Sequence, residues 1–303
     1  MKKLFLPLLL MLTMACGCAR LPFDSAPTAA VGCGTAWTLR SGYLVTNYHV
    51  VNPLLTAPET MKANDIYISY KGTTQKAKIV DFDAVADLCL LKVEDNSKIP
   101  PALCMAEKPA EAGQAVHTVG FPAPMQFGTS PKYLGGHIST VLRHELGAAS
   151  FSMGSGLCKL LQESGIYLNE GWPQSLIMTT APAIEGVSGA PLLNEDGHVL
   201  GIMSGGLSSV EANKAGANIL HCSFAIPLQP MYRLEDRTIS AHGWKPLPLP
   251  LAGLPDSERR SIAPEDAVAL VLTATPDLPD DMKELLRKLL CDIAKSYEPP
   301  AEK

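Results

Sequence analysis

The chain has 303 residues, 47% of them hydrophobic and 18% charged, enough for a full-sized core, so a disulfide-stapled mini-protein is excluded. Its 25 Lys and Arg against 30 Asp and Glu leave a net charge of −5 with no dense basic block, which argues against a nucleic-acid partner. The 24 Gly and 25 Pro turn the backbone too often for a helical array or coiled coil and point to many short strands.

At the N-terminus, Lys2 and Lys3 precede an apolar run that reaches Ala15. This pattern predicts an export signal over 1–15. About a dozen apolar residues span only ~18 Å as a helix, short of the ~20 residues a bilayer crossing needs, and no other segment is long and apolar enough to cross. Leu12-Thr13-Met14-Ala15-Cys16 resembles a bacterial lipobox, which implies acylation of Cys16; plain cleavage near Ala15 to Ala19 is the alternative. Gly17, where an aspartate would imply retention at the inner membrane, implies outer-membrane placement. The protein is therefore expected in a bacterial periplasm, touching a membrane only through that lipid.

A short polar lead carries the chain to about residue 30. Candidate strands then recur at 34–39, 43–47, 65–70, 76–82 and 88–93, and again at 115–121, 135–141, 176–181, 191–193, 199–204 and 218–226. Turn signals such as Asn194-Glu195-Asp196-Gly197 separate them. Two sets of five or six strands predict two antiparallel barrels, about 31–110 and 111–240, or a sandwich. A stretch over 142–174 is too long for a hairpin loop. Pro246, Pro248, Pro250 and Pro255 form a stiff linker. After Pro279, Met282, Leu285, Leu286, Leu289, Leu290 and Ile293 fall on one helical face, so 241–303 reads as a linker followed by helices, with that face packed back on the barrels or on 264–272.

The eight cysteines, Cys16, Cys18, Cys33, Cys89, Cys104, Cys158, Cys222 and Cys291, make no C-x-x-C pair and show no metal spacing. With Cys16 acylated, seven remain and at least one stays free. Cys89, inside Leu88-Cys89-Leu90-Leu91, is expected to be a buried thiol.

Three segments carry chemistry. His49 ends the apolar stretch Tyr43-Leu44-Val45-Thr46-Asn47-Tyr48. Asp87 abuts the apolar run 88–91, where a carboxylate could orient an imidazole; Asp81 and Asp83 stand close by as competitors. In Gly186-Val187-Ser188-Gly189-Ala190-Pro191, glycines let the backbone turn so that the Gly186 and Ser188 amides converge beside a serine hydroxyl, the donors an oxyanion needs.

Taken in that order, Thr46-Asn47-Tyr48-His49-Val50-Val51, Ala86-Asp87-Leu88-Cys89-Leu90-Leu91 and Gly186-Val187-Ser188-Gly189-Ala190-Pro191 resemble the trypsin-like serine peptidases, and within them the bacterial HtrA-like branch. Ser223-Phe224-Ala225-Ile226-Pro227 resembles that family's strand into its last barrel helix. The likeness runs from about Val31 to Arg237. It implies an all-β fold of two six-stranded antiparallel barrels with a helical C-terminal extension, and a serine endopeptidase acting on protein or peptide substrates of the envelope without cofactor or metal. Its catalytic residues would be His49, Asp87 and Ser188, with an oxyanion hole at Gly186 and Ser188. It also implies a primary pocket with Pro182 and Ala183 as floor, Ser204, Gly205 and Gly206 on one side, and 222–224 on the other. None of these is acidic, so cleavage is expected after small or medium apolar residues; Glu185 is the one charge close by. Val187 and Ala190 depart from the family's Gly-Asn-Ser-Gly-Gly. No cysteine stands directly after His49 to pair with Cys33, and the part after Trp244 does not resemble the PDZ domain of HtrA proteins. Two other readings fit the same residues: a binding protein that kept the fold without turnover, and an enzyme gated by a partner through 142–174.

Overall fold

The computed structural model describes residues 29–143, 175–207, 222–242 and 264–296. The export signal with Cys16, the proline-rich linker and nearly all of the 142–174 stretch lie outside the described residues. The first barrel uses β1 (Val31–Thr38), β2 (Leu44–Thr46), β3 (Asp65–Tyr70), β4 (Thr73–Asp83) and β5 (Leu88–Val93). The second uses β6 (Ala115–Gly120), β7 (Lys132–Arg143), β8 (Ser175–Thr179), β9 (Pro191–Leu193), β10 (Val199–Leu207) and β11 (Cys222–Pro227), closed in the order β10-β11-β8-β7-β6-β9. The pairings are antiparallel throughout, and the fold is the expected pair of six-stranded barrels.

The sixth strand of the first barrel comes from the far end of the chain. β12 (Val268–Ala274) lies between β1 and β3, running from Val31↔Ala274 to Trp37↔Val268 on one side and from Asp65↔Ala274 to Ser69↔Leu270 on the other. The first barrel is thus not closed within 31–110, as expected, but takes its sixth strand from beyond residue 240, and 241–303 is not only linker and helix. All seven residues of β12 are buried because both faces meet a core. Ala269 and Val271 point into the first barrel, whereas Val268, Leu270 and Leu272 join a core shared by the barrels and the helices. The same division holds in β5, where Cys89 and Leu91 face inward and Leu88 and Leu90 face the shared core.

Short helices α1 (Tyr48–Val51) and α2 (Pro58–Met61) follow β2, and α3 (Pro124–Phe127) follows β6. α4 (Leu228–His242) continues from β11, and α5 (Asp280–Ser296) follows β12. The apolar face of α5 packs back on the barrels, with Leu289 and Ile293 buried in the shared core and Leu286 and Leu290 against it. α4 clasps the first barrel: Arg237 donates from Nε and Nη2 to the two carboxylate oxygens of Asp81, each at 2.8 Å, and Thr238 Oγ1 adds a third bond at 3.1 Å. The helix leaving one barrel is therefore fastened to a strand of the other, which fixes the cleft between them. Among the described residues Cys33, Cys89, Cys104 and Cys291 are free thiols, and Cys89 is fully buried.

Candidate active site

β2 and β5 pair antiparallel with Thr46 opposite Cys89, so residues just past that end of the pair, after β2 and before β5, come to one place. They are His49 and Asp87. Asp87 takes φ +54°, uncommon for a residue with a side chain, and its carbonyl is held by Asn47 Nδ2 at 2.9 Å and by the Tyr48 amide at 3.2 Å. Its carboxylate then meets His49 twice: the backbone amide donates to Oδ1 at 3.0 Å, and Nδ1 lies 2.8 Å from Oδ2. A proton held on Nδ1 by the carboxylate leaves Nε2 as the basic nitrogen. Burial pulls the imidazole pKa down, but the charge and hydrogen bond of Asp87 together outweigh it, and His49 sits above its ordinary value.

The competing carboxylates are engaged elsewhere. Asp81 is taken by Arg237 and Thr238. Despite the opposing effect of burial, those bonds and the Phe82 amide hold it below the usual range. Asp83 Oδ1 accepts from the Val85 and Ala86 amides at 3.0 and 2.9 Å, closing the turn that presents Asp87.

Ser188 lies in a tight turn between β8 and β9, where the Val187 amide donates to Ile184 O and the Ala190 amide to Val187 O, both at 2.9 Å. Gly186 and Gly189 each take φ +87°. A Cβ would fall 2.1 Å from Phe121 O at the first and 2.2 Å from Thr35 O at the second, so only glycine fits. Val187 and Ala190 are fully buried in the second barrel, where their apolar side chains serve packing. The Gly186 and Ser188 amides have no acceptor among the described residues. Ser188 Oγ donates to Ser204 O at 3.1 Å and not to His49.

Ser204, expected along a pocket wall, turns its side chain to Asp87. It sits at a bulge where Met203 opposes Ala225 and Gly205 opposes Phe224, and an extra residue of this kind re-aims its side chain. Its Oγ donates to Asp87 Oδ2 at 2.7 Å. His49, Asp87 and Ser204 thus form one hydrogen-bonded chain, to which Ser188 is joined through the Ser204 carbonyl. Gly205 and Gly206 pair with Phe224 and Ser223, and Ser223 Oγ accepts from the Ala183 amide at 2.9 Å. Ser223 is the common neighbour of the expected floor and wall. Pro182 and Ala183 are half-buried. The Glu185 carboxylate accepts from Cys33 Sγ at 3.3 Å. Burial first, then the neighbouring carboxylate, push the Cys33 pKa up, so the thiol stays a protonated donor.

Sequence reasoning passed over Thr35, Asn47 and Ala123, which hold the site from behind. The one signal for Thr35 was a hydroxyl in the middle of a buried strand. Among the described residues no three His, Cys, Asp or Glu side chains converge as a metal site requires.

The profile of the trypsin-like peptidase domain matches residues 34–202. Among known proteins the chain is 29% identical over 186 residues to "Serine protease Do-like HtrA" of Lactobacillus helveticus, covering 61% of this chain and 37% of that protein. It is 26% identical over 199 residues to "Serine protease Do-like HtrB" of Bacillus subtilis, covering 65% and 35%. The matched region is thus little more than a third of those relatives' length. A solved structure titled "HtrA-type protease AlgW with decapeptide" superposes with a TM-score of 0.48 at 24% identity, covering 69% of this chain and 52% of that one. With more than half of its length matched by that domain, the chain belongs to the trypsin-like peptidase family.

Proposed function

We propose that the protein is a serine endopeptidase in which Ser188 attacks the scissile carbonyl, His49 takes its proton and returns it to the leaving amine, and Asp87 orients the imidazole and stabilises its charged form. The observation that carries this reading is the 2.8 Å contact of His49 Nδ1 with Asp87, in a hydrogen-bonded chain that also holds the Ser188 hydroxyl. The unoccupied Gly186 and Ser188 amides are the oxyanion donors. Because Ser188 Oγ donates to Ser204 O, a rotation about χ1 toward His49 Nε2 precedes attack. That rotation favours a second reading, in which a bound substrate or partner switches the hydroxyl across.

The substrate is a protein or peptide segment of the cell envelope, cut after a small or medium apolar residue. A Lys or Arg side chain entering beside Pro182, Ala183, Gly205 and Gly206 would lose hydration with no carboxylate to meet it, since Glu185 is turned to Cys33. The 1–15 signal and acylated Cys16 supply the export and the outer-membrane anchor; Cys16→Ser is expected to move the protein from the detergent to the aqueous phase. Profiling against a peptide library tests the catalytic reading. The wild-type protein should cut after Ala, Val, Leu or Met and label with a fluorophosphonate, and Ser188→Ala and His49→Ala should do neither while remaining folded. Absent labelling of the wild type, with or without added peptide, would leave a binding protein on a peptidase fold; a dominant preference for Arg or Lys would overturn the pocket.

A further inference from the structure

Thr35 is completely buried in the middle of β1, in the first barrel, yet its bonds go to the nucleophile loop of the second. Its hydroxyl donates to Gly186 O at 2.7 Å and its amide to Ser188 O at 2.8 Å. The same hydroxyl accepts from the Phe121 amide at 3.3 Å, and Thr46 Oγ1 donates to Thr35 O at 2.8 Å, so the residue cannot easily turn away. One residue therefore holds the carbonyls of both Gly186 and Ser188, in the peptide planes that follow those bearing their amides.

The consequence follows from peptide geometry. A peptide unit is planar and trans, so its C=O and N–H point in opposite directions and fixing one fixes the other. The Glu185 carbonyl is held by the Ala123 amide at 2.6 Å, which sends the Gly186 N–H the other way. A single peptide plane, 186–187, lies between the plane that carries the Gly186 nitrogen and the one that carries the Ser188 nitrogen, and it bears the Gly186 carbonyl bound to the Thr35 hydroxyl. Gly186, with no Cβ, has little intrinsic resistance to rotation of that plane. Without the hydroxyl, that plane would be held at one end only, by the Val187 amide on Ile184 O at 2.9 Å, and the Gly186 carbonyl would be left buried without its partner, so the plane would tilt.

We infer that Thr35 is a positioning residue that sets the Gly186 and Ser188 amides at the mutual orientation an oxyanion needs. The inference rests on the catalytic reading of Ser188 above. Its effect should be confined to the transition state, because the amides meet full negative charge only there.

The test compares Thr35→Val, which removes the hydroxyl at nearly constant shape, with Thr35→Ser, which keeps it. Thr35→Val is expected to lower kcat about 10- to 100-fold with KM within about twofold, less than the full loss of an oxyanion donor because the amides are displaced and not deleted. Affinity for a peptide boronic acid, which mimics the tetrahedral state, should fall by a similar factor, and Thr35→Ser should restore both to within about threefold. Thr38→Val is the control for packing: on the same strand, equally buried, Thr38 Oγ1 donates to Pro100 O at 2.7 Å. It should lower Tm and leave kcat unchanged. Thr35→Ala carries the same comparison if the valine variant does not accumulate. A Thr35→Val protein that loses Tm but keeps kcat and boronate affinity, as Thr38→Val should, overturns the inference. Ser188→Ala is run alongside: if it stays active the catalytic reading itself fails, whereas an inactive Ser188→Ala beside a fully active Thr35→Val removes only the role of Thr35.

Discussion

The carboxylate beside His49 does two things, holding the imidazole in place and deciding which nitrogen carries the proton. Asp87→Asn would keep the shape but let an amide donor face Nδ1, favouring the tautomer with its proton on Nε2. Activity should fall by about 10⁴-fold, the size of that effect in Ser-His-Asp triads generally. Asp81→Asn, which weakens the clasp to Arg237 and Thr238 of α4, should lower Tm and leave kcat within about twofold. The pH profile carries an independent signature. In the proposed mechanism attack requires neutral His49, and Asp87 raises its pKa, so the acid limb of kcat/KM should have its midpoint above about 6.5, the ordinary imidazole value. Stability runs the other way. With the folded pKa above the unfolded one, the charged pair stabilises the fold fully below about pH 6.5, and that contribution is lost as pH rises through the folded value. The difference in Tm between wild type and Asp87→Asn should therefore be larger at pH 5.5 than at pH 8.5; a constant difference would mean that the pair contributes no linkage.

At the level of elements, what could be read depended on how many faces each strand buries. β2, β3 and β5 fell close to their expected ranges because turn residues bracket them, and the placing of His49 and Asp87 at their ends followed directly. The two glycines around Ser188 were legible because a tight turn has few chemical solutions. β12 was not, since Val268-Ala269-Leu270-Val271-Leu272 is apolar at every position and periodicity cannot distinguish such a run from a helix. Nor could the bulge at Ser204 be foreseen, because it is defined by register against β11 and leaves no local mark. Thr35 could not be placed at the site for a similar reason: its partners in the Ser188 loop lie about 150 positions away. The doubly buried β12 also implies a high cost for small changes. Leu270→Ala should destabilise by about 2–5 kcal/mol, measured by denaturant unfolding, although Leu270 lies outside the proposed triad.

For the whole molecule, the first barrel is a product of both ends of the chain. Removing residues 264–303 would expose unpaired edges on β1 and β3, and open edges of this kind aggregate. The truncated protein is expected to be insoluble or inactive, and co-expression of 264–296 as a separate chain should recover part of the activity, because strand addition to an open edge reuses the same main-chain bonds. Soluble, active truncated protein would show that β12 is dispensable. The position of β12 also governs the order of events during synthesis. About 175 residues separate β5 from β12, so a ribosome adding roughly 5–20 residues per second takes on the order of 10–35 s to deliver the missing strand after the rest of the first barrel has been made. His49 and Asp87 belong to that waiting barrel, and the second barrel can complete its own six strands first. On the catalytic reading proposed above, a chain not yet extended to β12 would hold Ser188 in a completed second barrel while the barrel that presents His49 and Asp87 still lacked its sixth strand.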